Sequence, residues 1–454
     1  MTKTDLNSFS PIVEDILSNL ANLNRCIVGE AFEKSLEFLG RYIDLEIHRY
    51  KTGTECWTWD VPPKWQIKDG CIKTSNSVLA SFKDCPLHVM SYSVPVHKEI
   101  KGGELLKHIY VHKEIPHAIP YEFSFYKPKW GFCLTHEQRN KIEEDEIYEV
   151  IIDSEFIEDY LSVGEYTIKG ESDEYIFFLC HLDHPNQVND GLIGCAVNTA
   201  LATLMEDKKL YYNYTFLFVP ESIGSIAFLS HNEHLISKIR YSIFVEMVGL
   251  GNPLVLQKSY KGSELINSYA LCAMTEFQEI SKSYPYLTVA GNDEKIFNAP
   301  GVDIPSISIT RVNQDERLKK KEEARRQGLN EPVLPYPEYH SHLDNIDSVN
   351  FRQVNETIEV LYDLCHIIEK DFIPVRKFKG PVFLSKYDLW VDWRKDPGMN
   401  ESVMWLMYLL EGDTTAFQIA EKLKLDFKAV VGLLDKLHDS GLIKRKRIPI
   451  GFDR

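Results

Sequence analysis

Hydrophobic positions along the chain fall into distinct textures. Over residues 9–48 they recur at helical spacing, with Val13, Ile16, Leu17 and Leu20 behind Pro11, then Phe32, Leu36 and Leu39 ahead of Gly40. This predicts two ordinary helices. From about Tyr50 to Tyr166 the apolar runs are short and rich in aromatics: CWTWDVPPKW, HVMSYSVPV, YEFSFYKPKWGFCL and IYEVIID. Turn residues at 68–70 and 101–103 break them, which predicts short strands. From Tyr166 to about Phe372 strand-like and helix-like runs alternate. YIFFLC is a continuous apolar run, as in a strand covered on both faces, TFLFVP reads as another buried strand, and YSIFVEMVG and IPSISIT as a third and a fourth. GLIGCAVNTALATLM, SIAFLSHNEHLISKI, SELINSYALCAM and the amphipathic stretch 351–370 read as helices between or after them. The alternation predicts an α/β core with a mainly parallel sheet and helices on both faces. Residues 312–334, with the charged run DERLKKKEEARRQG inside, read as a solvated loop. The last 70 residues read as helices, a Gly turn and a basic strand.

Composition narrows the class. The 454 residues suit two to four domains. An apolar fraction of 44% is enough for a large core and excludes wholesale disorder. The net charge of −16 argues against a protein that coats nucleic acid or anionic membranes. Nine scattered cysteines without a CxxC pair suggest neither a disulfide framework nor a thiolate zinc site. The opening MTKTDLNSFSPIVEDIL lacks the pattern of a signal peptide. No apolar run reaches the roughly 18–20 residues of a membrane helix. A cytoplasmic, multidomain enzyme is expected.

Ligand-type side chains gather where such sheets bind ligands, at the carboxyl ends of strands. After YIFFLC come His181, Asp183 and His184, then Asn189 and Asp190 at a helix start. After TFLFVP comes Glu221, near the end of the third strand comes Glu246, and ahead of the 351–370 helix come His340, His342, Asp344 and Asp347. A histidine two residues from an aspartate suits a metal ligand whose second nitrogen is held by a carboxylate. Nitrogen and oxygen ligands without thiolates suit zinc, manganese or cobalt. The residues therefore predict metal-assisted hydrolysis, with a carboxylate taking the proton of activated water.

The order HLDHPNQVNDG, FVPESIG, FVEMVG, YHSHLD resembles the M28-type zinc aminopeptidases, over residues 166–370. That likeness implies a phosphorylase/hydrolase-like fold and a co-catalytic site of one or two zinc ions. CWTWDVPPKW, SFYKPKWGFCL, CHLDHPNQVNDG and PESIGS extend a closer resemblance, to the aminopeptidase-like family DUF4910, over nearly the whole chain. It implies a discontinuous core at 1–50 and 161–376, an inserted β-rich module of DUF2172 type at 51–160, and a winged helix at 380–454. By resemblance His181 ligates one zinc, Asp190 bridges, Glu246 and His340 ligate, Asp183 orients His181, and Glu221 is the general base. Where the family has two adjacent glutamates this chain has Glu221 and Ser222, so the second, ligating carboxylate is missing. Three arrangements stay open: Glu221 ligates, the site holds one zinc, or His342 or His184 substitutes. His184 could also replace His181. Arg311 and Asp293 are assigned to the pocket border, with Arg311 a candidate for a substrate carboxylate.

The winged-helix resemblance raises DNA binding. Across 401–454, however, nine Lys or Arg face eight Asp or Glu, so a basic stripe is lacking. A packing or oligomerisation module fits better, which leaves room for a homo-oligomer. The expected activity is cleavage of a peptide or amide bond in a small substrate. The alternative is a catalytically degenerate regulator that keeps the fold and uses the winged helix for DNA or protein contacts.

Overall fold

The computed structural model describes residues 10–329 and 332–453. The first nine residues, two residues of the charged 312–334 stretch and the last residue lie outside them. The chain divides into two units, Met1–Tyr362 and Asp363–Arg454.

The first unit is built on an eight-stranded mixed sheet. Its order is Glu46–Lys51, Tyr160–Ile168, Asn213–Val219, Tyr175–His181, Ile239–Val245, Ser306–Thr310, Val255–Gln257 and Lys282–Tyr284. The four central strands run parallel, as the continuous apolar runs predict. Antiparallel pairings flank them on both sides, so the sheet is less uniformly parallel than expected. Every residue of Asn213–Val219, Ile239–Val245 and Ser306–Thr310 is buried. Each such strand can be apolar at every position because helices cover both faces. Helix Leu192–Met205 is buried nearly all round, which explains why its sequence shows little polar face.

Glu46–Lys51 and Tyr160–Ile168 pair antiparallel in the main sheet. The chain between them forms a separate antiparallel sheet, ordered Val78–Ser81, Lys64–Lys73, Ile147–Ile157, Val96–Lys101. Strands are present as predicted, but Lys64–Lys73 and Ile147–Ile157, at 10 and 11 residues, are longer than the short ones expected.

The charged stretch departs from expectation. Gln314–Arg326 is a helix, not a loop. Its Asn313 cap accepts from the Glu316 N–H, and Lys320–Glu316 and Arg326–Glu322 pair one turn apart. Caps and i,i+4 pairs hold a helix that offers little apolar periodicity to read.

In the second unit Pro397–Tyr408, Ala416–Leu423 and Phe427–Asp439 are helices. Thr415 and Gln418 form a capping box, and Asp426 caps the last helix. The basic strand Ile443–Lys446 pairs antiparallel with Ile373–Arg376, at the end of the span assigned above to the hydrolase core.

One buried cation ties the loop after the Tyr175–His181 strand in place. Arg25, 1% exposed, donates to the carbonyls of Leu182 (2.8 Å), His184 (2.8 Å), Gln187 (2.9 Å) and Leu20. Arg25→Met should leave these acceptors without their donor in the interior. The expected loss is about 3–5 kcal/mol of stability for the first unit, read by denaturant unfolding.

Candidate metal centre

The strands deliver the ligand-type residues to one edge of the sheet. His181 ends its strand, Glu221 follows Val219 and Pro220, and Glu246 directly follows Val245. Asp190 stands just ahead of helix Leu192–Met205, and His340 comes from the loop before Phe351–Lys370.

These residues form two triads that share one carboxylate. His181, Asp190 and Glu246 make the first; His184, Asp190 and His340 make the second. Within each, the ligand atoms lie within 4.8 Å of one another. Asp190 Oδ1 is 3.4 Å from His181 Nε2, whereas Oδ2 is 3.1 Å from His184 Nδ1 and 3.0 Å from His340 Nε2. Glu246 Oε2 is 3.4 Å from His181 Nε2, and Glu221 Oε2 is 3.2 Å from His184 Nε2. His181 and His184 thus both belong to the cluster, one on each side of Asp190. His342 does not join them: its Nδ1 accepts from the Ile119 N–H at 3.0 Å.

The cluster is braced from behind. Asp183 Oδ1 lies 3.8 Å from His181 Nδ1 and accepts the Glu221 N–H at 2.8 Å. Asp344 accepts from the N–H groups of Asn189 (2.9 Å) and Asp190 (3.0 Å) and from the Tyr336 hydroxyl (2.9 Å). The Asn292 amide donates to Glu246 Oε2 at 2.6 Å. Gly191 is needed because a Cβ there would stand 2.5 Å from the His181 ring. Sequence reasoning assigned no role to Asp344 or Asn292; the AsnAsp pair at 292–293 and the Asp of HSHLD were the available signals.

Two assignments change. Arg311 is fully buried and spends its guanidinium on Thr357 Oγ1 (3.2 Å), the Asn252 carbonyl (2.8 Å), the Gln353 carbonyl (2.9 Å) and Glu356 (2.9 Å). It locks the 351–370 helix to the sheet and is not presented to a substrate. Asp293 is also fully buried and accepts the Ser222 N–H at 3.0 Å, so it holds the Glu221 turn. Burial pushes its carboxyl up to about 7.

Charge follows burial and pairing. Burial opposes the His181 imidazolium, yet Asp183, Asp190 and Glu246 hold its pKa well above the ordinary value. Burial also opposes the charge on Asp190, which His184, His181 and His340 overcome, so its carboxyl stays well below the usual range. Behind Glu246, Glu294 is pushed up to about 8 by burial and then by the Glu246 charge. An acid that keeps its proton longer folded than unfolded destabilises the fold as pH rises. Stability is highest below its ordinary 4.5 and falls until about pH 8. The span corresponds to about 5 kcal/mol. Glu294→Gln should flatten the decline of the unfolding midpoint between pH 5 and 8.

The donor set fits a metal ion. Both Asp190 oxygens, His184 Nδ1, His340 Nε2 and Glu246 Oε1 are buried atoms that make no hydrogen bond. Lone pairs left so in the interior are costly unless a cation or proton meets them. Among the described residues of the cluster, Glu221 and His340 open to solvent, with side chains 27% and 25% exposed.

This fold is that of the M28-type peptidases. It matches the zinc aminopeptidase of Bacillus subtilis with a TM-score of 0.58 at 12% identity, covering 80% of this chain and 94% of that one. It matches an M28 peptidase precursor from Shewanella amazonensis with a TM-score of 0.52 at 11% identity, over 80% and 95%. More particularly, the chain belongs to the DUF4910 family, described as a domain of unknown function, whose model covers residues 14–319. A Clostridium acetobutylicum protein is 29% identical over 95% of this chain and 96% of its own length. It is provisionally named a polysaccharide biosynthesis protein with an aminopeptidase-like domain. A solved structure from that organism, provisionally called a peptidase, matches with a TM-score of 0.82 at 28% identity over 97% of each chain. Among the described residues no helix is long and apolar enough to cross a membrane.

Proposed function

We propose that this chain is a zinc-dependent hydrolase of the aminopeptidase or amidohydrolase type, cleaving a peptide or amide bond in a small substrate. The observation that carries the reading is the pair of triads joined through Asp190. His184 stands where the missing second glutamate would otherwise leave the second triad short. His181, Asp190 and Glu246 would hold one zinc and His184, Asp190 and His340 a second. Bound there, zinc would supply Lewis acidity to the amide carbonyl and acidify water.

The chain's own residues do the rest. Glu221 lies at the open side with its backbone fixed by Asp183, and it takes the proton of the attacking water and returns it to the leaving nitrogen. Asp183 holds the Glu221 N–H and Asp344 the Asp190 loop, so these groups need not reorganise.

We also read 51–160 as an inserted β-rich module and 380–454 as a winged helix for packing or self-association. The pairing of Arg445 with Asp435 at 2.5 Å reduces its free basic charge and argues against nucleic acid. Nine free cysteines fit a reducing compartment such as the cytoplasm.

Purified protein should carry stoichiometric zinc and hydrolyse aminoacyl anilides or N-acyl amides. Chelation should abolish the activity and zinc should restore it. Protein that purifies without divalent metal and gains no activity on adding it refutes the reading.

A further inference from the structure

The β-rich segment reaches into the metal centre. Pro120 bridges to Ser341, the Tyr121 N–H donates to the His340 carbonyl at 2.7 Å, and the His342 N–H donates to the Ile119 carbonyl at 3.1 Å. The Tyr121 ring lies 5.2 Å from that of His340 and 5.4 Å from that of His184. Phe123 is 6.4 Å from His340 and stacks on Phe125 at 4.4 Å, and the next residue, Tyr126, meets Trp59 edge-on at 6.2 Å. Phe123, Tyr126 and Trp59 are 41%, 54% and 38% exposed.

Two side chains here are tied down, and one face of Phe123 is covered by Phe125. The Tyr126 hydroxyl donates to the Asp60 carbonyl at 3.0 Å, and Nε1 of neighbouring Trp57 donates to Glu233 at 2.7 Å. Rigid aromatic faces presented to water at the mouth of a polar centre are a binding surface, not a core defect. Asp60 and Glu233 lie beside Tyr126 and Trp57, to which they bond, and the exposed Lys127 and Lys129 follow Tyr126 in the chain. An acyl chain or lipid surface would favour an aliphatic groove with a basic rim. A pyranose fits instead: its C–H face stacks on a ring and its equatorial hydroxyls donate to carboxylates.

We propose that this strip is the recognition subsite for a glycan bearing N-acylated amino sugars, whose pyranose faces lie on Phe123, Tyr126 and Trp59. The proposal rests on the amide-hydrolase reading for its chemistry. One water adds to the acyl carbon, the C–N bond breaks, and the nitrogen takes the proton carried by Glu221. The products are a carboxylic acid and a free amino sugar.

The probe is the β-1,4-linked trimer of N-acetylglucosamine, titrated into the full-length, zinc-loaded Glu221→Gln protein by calorimetry. Binding is expected. Phe123→Ala and Trp59→Ala in that background should each raise Kd by about 3- to 10-fold with metal content unchanged. No binding at millimolar trimer, or Kd unmoved in both variants, overturns the proposal. So does a dimer in light scattering that Trp59→Ala dissolves while saccharide binding stays the same. The two readings fail separately. Trimer binding weakened by Phe123→Ala, with no amide cleaved by the wild type, sinks the hydrolase and keeps the subsite. Anilide cleavage without trimer binding does the reverse.

Discussion

Asp190→Asn should empty both halves of the centre at once. The variant is expected to purify with little bound divalent metal and to lose amide hydrolysis by about 10³-fold or more. The reason is the division of labour within one side chain. Oδ1 faces His181, while Oδ2 faces His184 and His340. Asparagine keeps one oxygen and turns an N–H₂ group toward the other set, where a cation would sit. Metal analysis and the hydrolysis assay check it, with thermal unfolding to separate a lost site from a lost fold. A milder change one layer out is the control. Asp344→Asn keeps one of the two oxygens that accept from the Asn189 and Asp190 N–H groups and leaves the metal-facing side chains in place, so metal affinity should fall by only about 10- to 100-fold. Equal zinc content in Asp190→Asn and wild type would remove Asp190 from the centre.

Much of this centre was legible in the sequence, for a physical reason. A strand covered on both faces is mostly apolar, so ligand-type residues just beyond its end mark the sheet edge. His181, Glu221 and Glu246 all stand at such points. What stayed hidden depends on partners far along the chain. Spacing could not choose between His181 and His184, because the loop that turns both rings toward Asp190 is held by Arg25, on a different segment. Arg311 was a candidate for a substrate carboxylate because its segment would border the pocket, but its partner Glu356 lies 45 residues away. The helix Gln314–Arg326 was missed for a different reason: charged pairs stabilise it, and periodic burial does not reveal it. In each case the deciding contact is tertiary or electrostatic, and hydropathy patterning carries neither.

Glu221→Gln should retain zinc and lose turnover, with kcat down about 10²- to 10⁴-fold. The geometry separates the base from a ligand. Glu221 Oε2 faces His184 Nε2 at 3.2 Å, while the other nitrogen of that ring faces Asp190. A ring that ligates through Nδ1 carries its proton on Nε2, and Glu221 accepts it. Glutamine keeps an oxygen acceptor for that N–H, so the ring and its metal stay in place. It cannot take a proton from water. Burial works against the Glu221 charge, but His184 and His181 hold its carboxyl below the usual range, so it is a carboxylate at neutral pH. If zinc content falls together with kcat, Glu221 is a ligand, and the second triad is completed by a carboxylate as well as by His184. Retained zinc with unchanged turnover would place the proton transfer on another group. Among the described residues, Glu221 is the only carboxylate of the cluster that opens to solvent, since Asp183, Asp190 and Glu246 are at most 1% exposed.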